Sequence, residues 1–174
     1  MRDVAVEEVF AALRAGGRDT YAGEEVSVTD HSLQAAAAAH QDGASAALTA
    51  ATLLHDIGWV IRTGSRRHEL RGSAFLAEFF EPAVTEPVRL HVLAKRYLCT
   101  IDEGYRSMLS SASLRTLVRQ GDTLDDQVRS SFEAEPYAAD AIRLRRYDDQ
   151  AKVLGAETAD LAQYAPLISQ LLHR

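Results

Sequence analysis

The sequence predicts an all-α protein. Apolar residues recur at the three- and four-residue spacing of helices, and no segment alternates between apolar and polar residues as a strand does. Glycine and proline separate the periodic segments. The 174 residues, 47% of them apolar, are enough for one domain with a sizeable core. We therefore expect a single helical domain that spans residues 1–174.

Two helices are predicted at the start of the chain. An amphipathic helix around residues 4–13 stops at the glycine pair 16–17. After a polar loop comes the segment HSLQAAAAAH, whose alanines favour a helix and allow close approach of its neighbours. Ser27, Thr29 or Asp30 is expected to cap this second helix.

Three further helices are predicted in the middle of the chain. One runs from about residue 44 to 57 and ends at Gly58, which is expected to take the left-handed C-terminal conformation. Another covers residues 68–80 and stops before Pro82. The fifth helix is expected over residues 87–98.

The last third of the chain predicts three more helices. Residues 113–120 form a short helix that Gly121 closes. Residues 137–154 form a long helix. In the final helix, residues 159–172, Pro166 is expected to bend or restart the chain.

Composition excludes several functions. The net charge is -6 and no cluster of Lys and Arg resembles a nucleic-acid site, so nucleic acid is not an expected partner. No apolar run reaches 18 residues, and Glu7 and Glu8 interrupt the start where a signal peptide needs an apolar stretch, so no membrane association is expected. The lone Cys99 permits no internal disulfide, which suits a cytoplasmic protein.

The segment LLHDIGWV raises the question of function. Five of the six histidines fall between positions 31 and 91, and His55 is followed directly by Asp56. Neighbours on a helix point about 100° apart, so the imidazole can bind one ion while the carboxylate reaches toward a second. A carboxylate at a helix C-terminus is also unfavourable beside the macrodipole and favours a nearby cation.

The motif HDIG, with DHSLQAA upstream and RRYDDQAK downstream, resembles the HD-domain superfamily of metal-dependent proteins. Members hold their ion in a helical bundle with a histidine, a His-Asp pair and a distant aspartate. The resemblance implies that His31, His55, Asp56 and Asp148 are ligands. Asp149 competes with Asp148 for the last position.

A finer resemblance is to the mixed-valent di-iron oxygenases of this superfamily, the PhnZ-type phosphonate oxygenases. His68 and His91, which open HELRGSAFL and HVLAKRYL, raise the set to six ligands. Shared between two ions with Asp56 bridging, they leave positions open for substrate and dioxygen. The mixed nitrogen and oxygen ligands suit iron, and the resemblance implies an Fe(II)/Fe(III) pair with O2 as co-substrate.

The segment YAGEEVSVTDHSLQAA is similar to the lid of that family. The resemblance implies that residues 20–30 form this lid. Tyr21 would occupy an iron position when no substrate is bound, and Glu24 would contact the ammonium group of the substrate. Glu25 is an alternative to Glu24.

Two basic residues share helix faces with predicted ligands. Lys95 lies four residues after His91, and Arg145 lies three residues before Asp148. Both can therefore reach a group bound beside the metal. The resemblance assigns both to phosphonate binding.

A polar stripe follows in SASLRTLVRQGD. Ser113, Thr116 and Gln120 repeat at i, i+3 and i+7, which places them on one side of a helix. The resemblance assigns these three residues to the phosphonate as well.

The remaining polar residues receive supporting roles. Metal-bound histidines need acceptors for their second ring nitrogen, and Asp149, Glu69 and Asp30 are candidates. His40 and His173 match no motif and are expected to be structural or exposed.

The resemblance implies oxidative cleavage of a C–P bond. The expected substrate is 2-amino-1-hydroxyethylphosphonate or an N-methylated analogue, which gives phosphate and glycine or glycine betaine; a hydroxymethylphosphonate without an amine ranks third. A quaternary ammonium favours aromatic faces. The candidates are Tyr21, Trp59, Tyr97, Tyr105 and Tyr147.

Two alternatives are also compatible with the sequence. One is an HD phosphohydrolase that acts on a nucleotide or phosphomonoester, with a metal-bound hydroxide as nucleophile. It explains the ligands and basic residues equally well, but it gives Tyr21 and Glu24 no role. The other is a non-enzymatic signal-output or binding module that has retained a metal.

Overall fold

A computed structural model describes residues 2–16, 26–61 and 64–173. Within these ranges there are ten α-helices and two short 3-10 helices, and no strand. The α-helices are α1 (Arg2–Gly16), α2 (Val28–Gln41), α3 (Ala46–Leu54), α4 (His68–Leu76), α5 (Pro82–Ile101), α6 (Glu103–Met108), α7 (Ser111–Arg119), α8 (Asp126–Glu133), α9 (Ala138–Gln150) and α10 (Ala165–Leu171). The 3-10 helices are Ile57–Trp59 and Leu161–Tyr164. The all-α prediction is confirmed.

Helix α5 lies at the centre of the fold. It packs mainly against α9, α4 and α3, while α2 packs against α3 and α9. The alanines of α2 make the close contact possible, since Ala35, Ala36 and Ala39 are completely buried. Small side chains on one helix let the backbones of its neighbours approach. The main core consists of these helices together with α1 and α10.

A smaller layer packs over the C-terminal half of α5. Leu98 and Cys99 of α5 form a cluster with Tyr105, Leu109 and Leu117 from the segment that contains α6 and α7. This contact places the polar stripe of α7 beside α5. Helices α6 and α8 were not predicted, because they are short and mostly polar and their ends are set by the capping residues Asp102 and Asp125.

The predicted start of α5 was wrong. Pro82 lies in its first turn, where the missing N–H does no harm, and Pro87 is buried inside the helix. The apolar face with Val84 and Val88 is completely packed, and this burial outweighs the one hydrogen bond lost at Pro87. The predicted restart at Pro166 is confirmed, since α10 begins one residue earlier.

Gly58 serves a different purpose from the one predicted. The described glycines with positive φ are Gly43, Gly64, Gly121 and Gly155, so Gly58 is not a left-handed helix stop. A Cβ atom on Gly58 would lie 1.9 Å from the carbonyl oxygen of His68 and 2.8 Å from the amide nitrogen of Gly72. The absent side chain therefore lets α4 rest directly on the segment after His55.

The described part of the chain contains no helix that is both long and apolar enough to cross a membrane. Cys99 is a free, buried thiol.

We expect Gly58→Ala to destabilise the protein by about 1–3 kcal/mol, because the new methyl group would overlap the backbone of α4. Gly104→Ala is the matched control, since its Cβ would approach only the side chain of Asp102. Thermal unfolding should show a clear fall in Tm for the first variant and a small change for the second. Equal Tm values for Gly58→Ala and the wild type would contradict this packing argument.

Candidate metal centre and adjoining cavity

Four histidines and two aspartates converge where five helices meet. His31 lies in the first turn of α2, His68 begins α4, His91 is in the middle of α5 and Asp148 is in the last turn of α9. His55 and Asp56 directly follow α3. These side chains are almost completely buried. The structure thus brings together all six predicted ligands.

A break in the helix lets His55 and Asp56 serve the same cluster. Helix α3 ends at Leu54, and Asp56 has φ -101 and ψ 9, outside helical geometry. The side chains of His55 and Asp56 are therefore not forced to point about 100° apart around a helix axis. His55 Nε2 lies 3.2 Å from Asp56 Oδ2.

Five of the six side chains form two groups that share Asp56. His31, His55 and Asp56 make one group in which ligand atoms lie close enough to hold one ion, and Asp56, His68 and His91 make the other. Oδ2 of Asp56 faces His31 and His55 at 3.7 and 3.2 Å. Oδ1 faces His68 and His91 at 3.3 and 3.8 Å. One carboxylate thus presents one oxygen to each group.

Asp148 completes the first group. Its Oδ1 lies 3.3 Å from His31 Nε2, and its Oδ2 lies 3.7 Å from His55 Nε2. Asp149 points instead toward Tyr105 and Arg145. This geometry favours Asp148 over Asp149 as the candidate ligand.

Backbone carbonyls fix the tautomers of three imidazoles. Nδ1 of His31, His55 and His91 lies 2.7–2.8 Å from the carbonyl oxygens of Ala151, Thr52 and Val88, respectively. A carbonyl can only accept, so Nδ1 carries the proton and Nε2 of the neutral ring presents a lone pair to the cluster. This is the arrangement that metal-binding histidines need.

The predicted acceptors for these rings were largely wrong. Glu69 does approach an imidazole, with Oε2 3.4 Å from His68 Nδ1. Asp30 instead accepts a hydrogen bond from Ser27, the residue that caps α2. Asp149 contacts Arg145 and the Tyr105 hydroxyl rather than an imidazole ring. Backbone carbonyls take the expected role because they are already positioned one helical turn away from His55 and His91.

The cluster has the properties of a cation site. Nε2 of His31 and His55 are 3.2 Å apart, and Nε2 of His68 and His91 are 3.1 Å apart. When both rings of a pair are neutral, their inward lone pairs face the same point, and a cation between them removes the repulsion. Among the described residues, no donor makes a hydrogen bond of normal geometry to either oxygen of Asp56. Buried carboxylates without donors are rare unless they bind an ion.

Electrostatics within the cluster favour the ionised carboxylates. Burial opposes the charge on Asp56, but His55 and His68 outweigh it and hold the pKa of Asp56 well below its usual value. Burial also opposes charge on His55, yet Asp56 and Asp148 raise its pKa to about 9. Burial and the neighbouring His68 lower the pKa of His91 to about 3. A metal ion must therefore displace a proton from His55 when it binds.

A small, partly open cavity lies beside the second group. His68 and His91 form part of its wall, so a molecule inside the cavity lies next to the cluster. All five residues predicted to bind the phosphonate also line it, together with three that make the rest of the wall. The five are Lys95, Ser113, Thr116, Gln120 and Arg145, and the three are Trp59, Val92 and Ala112.

Lys95 is the cation best placed for an anion in this cavity. It is buried, and its Nζ donates to Thr116 Oγ1 at 3.0 Å. Thr116 in turn donates to the carbonyl oxygen of Ser113 at 3.0 Å. Burial and the nearby positive charge of Arg145 lower the pKa of Lys95 to about 7. A bound anion would favour the charged ammonium.

Arg145 is held by carboxylates. Nη1 donates to Asp148 at 2.5 Å, and Nη2 donates to Asp149. Tyr105 donates to the other oxygen of Asp149 at 2.5 Å, and burial raises the pKa of this tyrosine so that the hydroxyl keeps its proton. Arg145 thus couples the cavity wall to the candidate ligand Asp148.

A larger outer cavity adjoins the first one. Trp59 lies at the boundary, where its ring stacks on the His68 ring at 4.5 Å between centroids. Arg66, Arg96 and Arg119 also line the outer cavity, while Arg67 is paired with Glu69 at 2.7 Å. The approach to the inner cavity is therefore positively charged.

Among the candidate aromatic contacts, Trp59 lies on the wall of the inner cavity. Tyr97 and Tyr147 donate hydrogen bonds to Glu133 and Asp42, respectively, and neither lines this cavity. Tyr105 is held in the Asp149 network.

The structure does not describe every predicted site residue. Tyr21, Glu24 and Glu25 fall outside the described residues, so the lid stays a prediction. His40 is exposed near the end of α2, and His173 is exposed and lies 3.0 Å from a Glu81 oxygen. Neither histidine approaches the cluster.

Sequence reasoning gave no role to Lys152. Its Nζ donates to Ser113 Oγ at 2.9 Å and lies 3.7 Å from Asp149 Oδ1. The sequence feature that could have identified Lys152 is the scarcity of lysine. Lys95 and Lys152 are the only lysines among the 19 Lys and Arg residues.

Comparison with known proteins gives the family. The chain is 39% identical over 169 residues to hydroxymethylphosphonate dioxygenase of Gimesia maris, covering 91% of this chain and 84% of that protein. The chain belongs to the phosphonate dioxygenase family. The resemblance to phosphonate oxygenases is thereby confirmed, whereas membership of the HD superfamily stays a prediction.

Two further relatives match most of the chain. The glycine-betaine-forming [1-hydroxy-2-(trimethylamino)ethyl]phosphonate dioxygenase of Leisingera caerulea is 35% identical, covering 97% of this chain and 91% of that protein. An uncharacterised protein of Acanthamoeba polyphaga mimivirus is 34% identical, covering 90% of this chain and 76% of that protein. No protein-family model matches the chain.

We expect His68→Ala to lower the metal content by one ion per chain, because His68 belongs to only one of the two groups. His40→Ala is the control, since it removes an exposed imidazole from another part of the fold. Elemental analysis of purified protein measures the difference. Two ions per chain in His68→Ala would contradict the assignment of this residue.

We expect proton uptake when a phosphonate binds above pH 7. Lys95 with a pKa of about 7 is mostly neutral at pH 8, and an adjacent anion raises that pKa, so binding takes up close to one proton. Below pH 7 the lysine is already charged and its uptake disappears. Calorimetry with methylphosphonate in buffers of different ionisation enthalpy measures the protons.

Lys95→Met provides the comparison, because the ligand and buffer contributions stay the same. The uptake at pH 8 should be smaller in this variant by close to one proton. Equal uptake by the variant and the wild type would show that Lys95 is not the group that titrates.

Proposed function

We propose that this protein is a di-iron dioxygenase that oxidatively cleaves the C–P bond of a 1-hydroxyphosphonate. The observation that carries the proposal is the juxtaposition of two potential metal groups, joined by Asp56, with a cavity that contains Lys95 and the α7 hydroxyls. The names of two relatives, both dioxygenases of hydroxyphosphonates, support the same chemistry. The products are inorganic phosphate and a carboxylate, with one O2 consumed for each phosphate released.

The ligand atoms suit a pair of iron ions. Four imidazoles and two carboxylates supply nitrogen and oxygen without a thiolate, a set typical of iron rather than of a structural zinc site. His31, His55 and Asp148 would hold one ion, His68 and His91 the other, and Asp56 would bridge them. An Fe(II)/Fe(III) pair in this position would supply the redox chemistry for activation of dioxygen and oxidation of the carbinol carbon.

The protein's own residues bind and orient the phosphonate. Lys95 donates a charged hydrogen bond, and Thr116 holds the lysine in place. Ser113 and Gln120 add polar groups along the same wall. These contacts place the phosphonate beside His68 and His91, so that the adjacent carbinol faces the candidate metal group. Trp59, Val92 and Ala112 form the apolar part of the cavity wall.

The other end of the substrate defines its class. We propose a 2-amino-1-hydroxyethylphosphonate, with a free or N-methylated amine, as the substrate, and glycine or glycine betaine as the product. Glu24 would contact the cation, and Tyr21 would occupy one metal position in the substrate-free protein. Trp59 offers an aromatic face to a methylated ammonium and is 42% exposed. The assignment of residues 1–174 to a single HD domain is part of this proposal.

Oxygen consumption tests the proposed reaction. Iron-loaded protein is given 2-amino-1-hydroxyethylphosphonate, its trimethylated analogue and hydroxymethylphosphonate in turn, and oxygen uptake and phosphate release are followed together. We expect equal amounts of O2 consumed and phosphate formed, with an amine-bearing substrate preferred. Phosphate release from nucleotides or phosphomonoesters without oxygen uptake would instead establish a phosphohydrolase.

We expect Glu24→Ala to raise KM for the amine-bearing substrates by about tenfold or more while leaving metal content unchanged, because the carboxylate is assigned to the ammonium and not to the metal. Glu25→Ala distinguishes the neighbouring alternative. The KM for hydroxymethylphosphonate is the internal control, since this substrate carries no cation. Unchanged KM for the amines in both variants would refute the lid assignment.

A further inference from the structure

The chain contains two lysines, and both donate hydrogen bonds to hydroxyl groups of α7. Lys95 reaches Thr116 from α5, and Lys152 reaches Ser113 from the residues that follow α9. The two hydroxyls lie one helical turn apart on the wall of the inner cavity. The other 17 of the 19 Lys and Arg residues are arginines. Both lysines of the chain therefore lie at this site.

The ammonium of Lys152 determines the direction of the Ser113 hydroxyl. An ammonium group only donates, so Ser113 Oγ accepts the 2.9 Å hydrogen bond from Lys152. The single hydroxyl proton of Ser113 is then left for another acceptor. Within the described residues, no hydrogen bond donated by Ser113 Oγ is present, and its side chain is nearly buried at the cavity wall. That proton is available to a ligand.

Thr116 has the opposite arrangement. Its Oγ1 accepts from Lys95 and donates to the carbonyl oxygen of Ser113. The threonine hydroxyl has therefore used its proton within the protein. Of the two hydroxyls, Ser113 is the donor that can serve an anion, and Thr116 is the anchor that holds Lys95.

Lys152 also changes the charge balance of the wall. The guanidinium of Arg145 is engaged by Asp148 and Asp149. Lys152 Nζ lies 3.7 Å from Asp149 and 4.0 Å from Asp148, with its side chain only 13% exposed. With Lys152 present, the two aspartates face two cations, and the charge of Lys95 remains for the ligand.

We propose that Lys152 is a positioning residue for the phosphonate, which acts by fixing the Ser113 hydroxyl as a hydrogen-bond donor into the cavity. The inference rests on the proposed function for the class of ligand, a phosphonate or phosphate anion. It does not depend on turnover, because anion binding can be measured in the absence of oxygen. Nor does it require that the bound anion be oxidised.

A double-mutant cycle tests the coupling between the two residues. The variants are Lys152→Met, Ser113→Ala and the combination, and the measurement is the calorimetric Kd for methylphosphonate with metal-loaded protein under anaerobic conditions. Hydrogen bonds to charged groups contribute about 1.5–3 kcal/mol, so we expect about a tenfold or larger loss of affinity for Ser113→Ala. Lys152→Met should weaken binding severalfold in the wild-type background and much less when Ser113 is already alanine.

Two controls separate this role from general charge or stability. Arg146→Met removes a positive charge from the exposed face of α9, the helix that precedes Lys152, and should leave Kd unchanged. Lys152→Arg retains the donors and should restore part of the affinity lost in Lys152→Met. Metal content should stay the same in every variant.

The outcomes are distinct. Additive losses in the double variant would overturn the inference, because Lys152 would then act independently of Ser113. Loss of metal in Lys152→Met would also overturn it, since the lysine would then serve the ligand Asp148. Failure of the wild type to bind methylphosphonate would refute the phosphonate substrate class itself. Coupled losses in a protein that consumes no oxygen would support the inference and refute only the oxygenase.

Discussion

The buried carboxylate of Asp56 is the constraint on which the rest of the site depends. Its two oxygens face different pairs of imidazole nitrogens, and no described donor makes a hydrogen bond of normal geometry to either. A buried carboxylate without such donors is unfavourable, and so are two neutral imidazoles whose Nε2 atoms face each other at about 3 Å once His55 has lost its proton. Cations bound on both sides of the carboxylate would remove both penalties at once. The metal groups and Asp56 therefore form one unit rather than separate sites.

The fold provides this unit through small departures from regular helices. The end of α3 at Leu54 frees His55 and Asp56 from helical spacing, and the absence of a side chain at Gly58 brings α4 and His68 within reach. Backbone carbonyls then hold three of the imidazoles in one tautomer. The cavity depends on a second layer, because the packing of α7 against α5 places the Thr116 hydroxyl against Lys95. Metal positioning and anion binding thus use different helix contacts.

Much of this arrangement could be predicted from the sequence. The histidines and aspartates stand in a recognisable order, and the i, i+3, i+7 spacing of the α7 stripe correctly indicated one face. The partners of the imidazoles could not be predicted, because a backbone carbonyl has no signature in the sequence. Gly58 was misinterpreted since close packing between distant segments and a left-handed turn both require glycine. The contact of Lys152 with Ser113 joins residues 39 positions apart, which only the packed fold brings together.

The central claim is that one carboxylate joins two redox-active ions. Metal analysis combined with electron paramagnetic resonance of the partly reduced protein tests it most directly, with Asp56→Asn as the comparison. The account predicts two iron ions per chain and the spectrum of a coupled Fe(II)/Fe(III) pair, and it predicts that this spectrum disappears in Asp56→Asn. A single ion per chain, or two ions without magnetic coupling in the wild type, would contradict it.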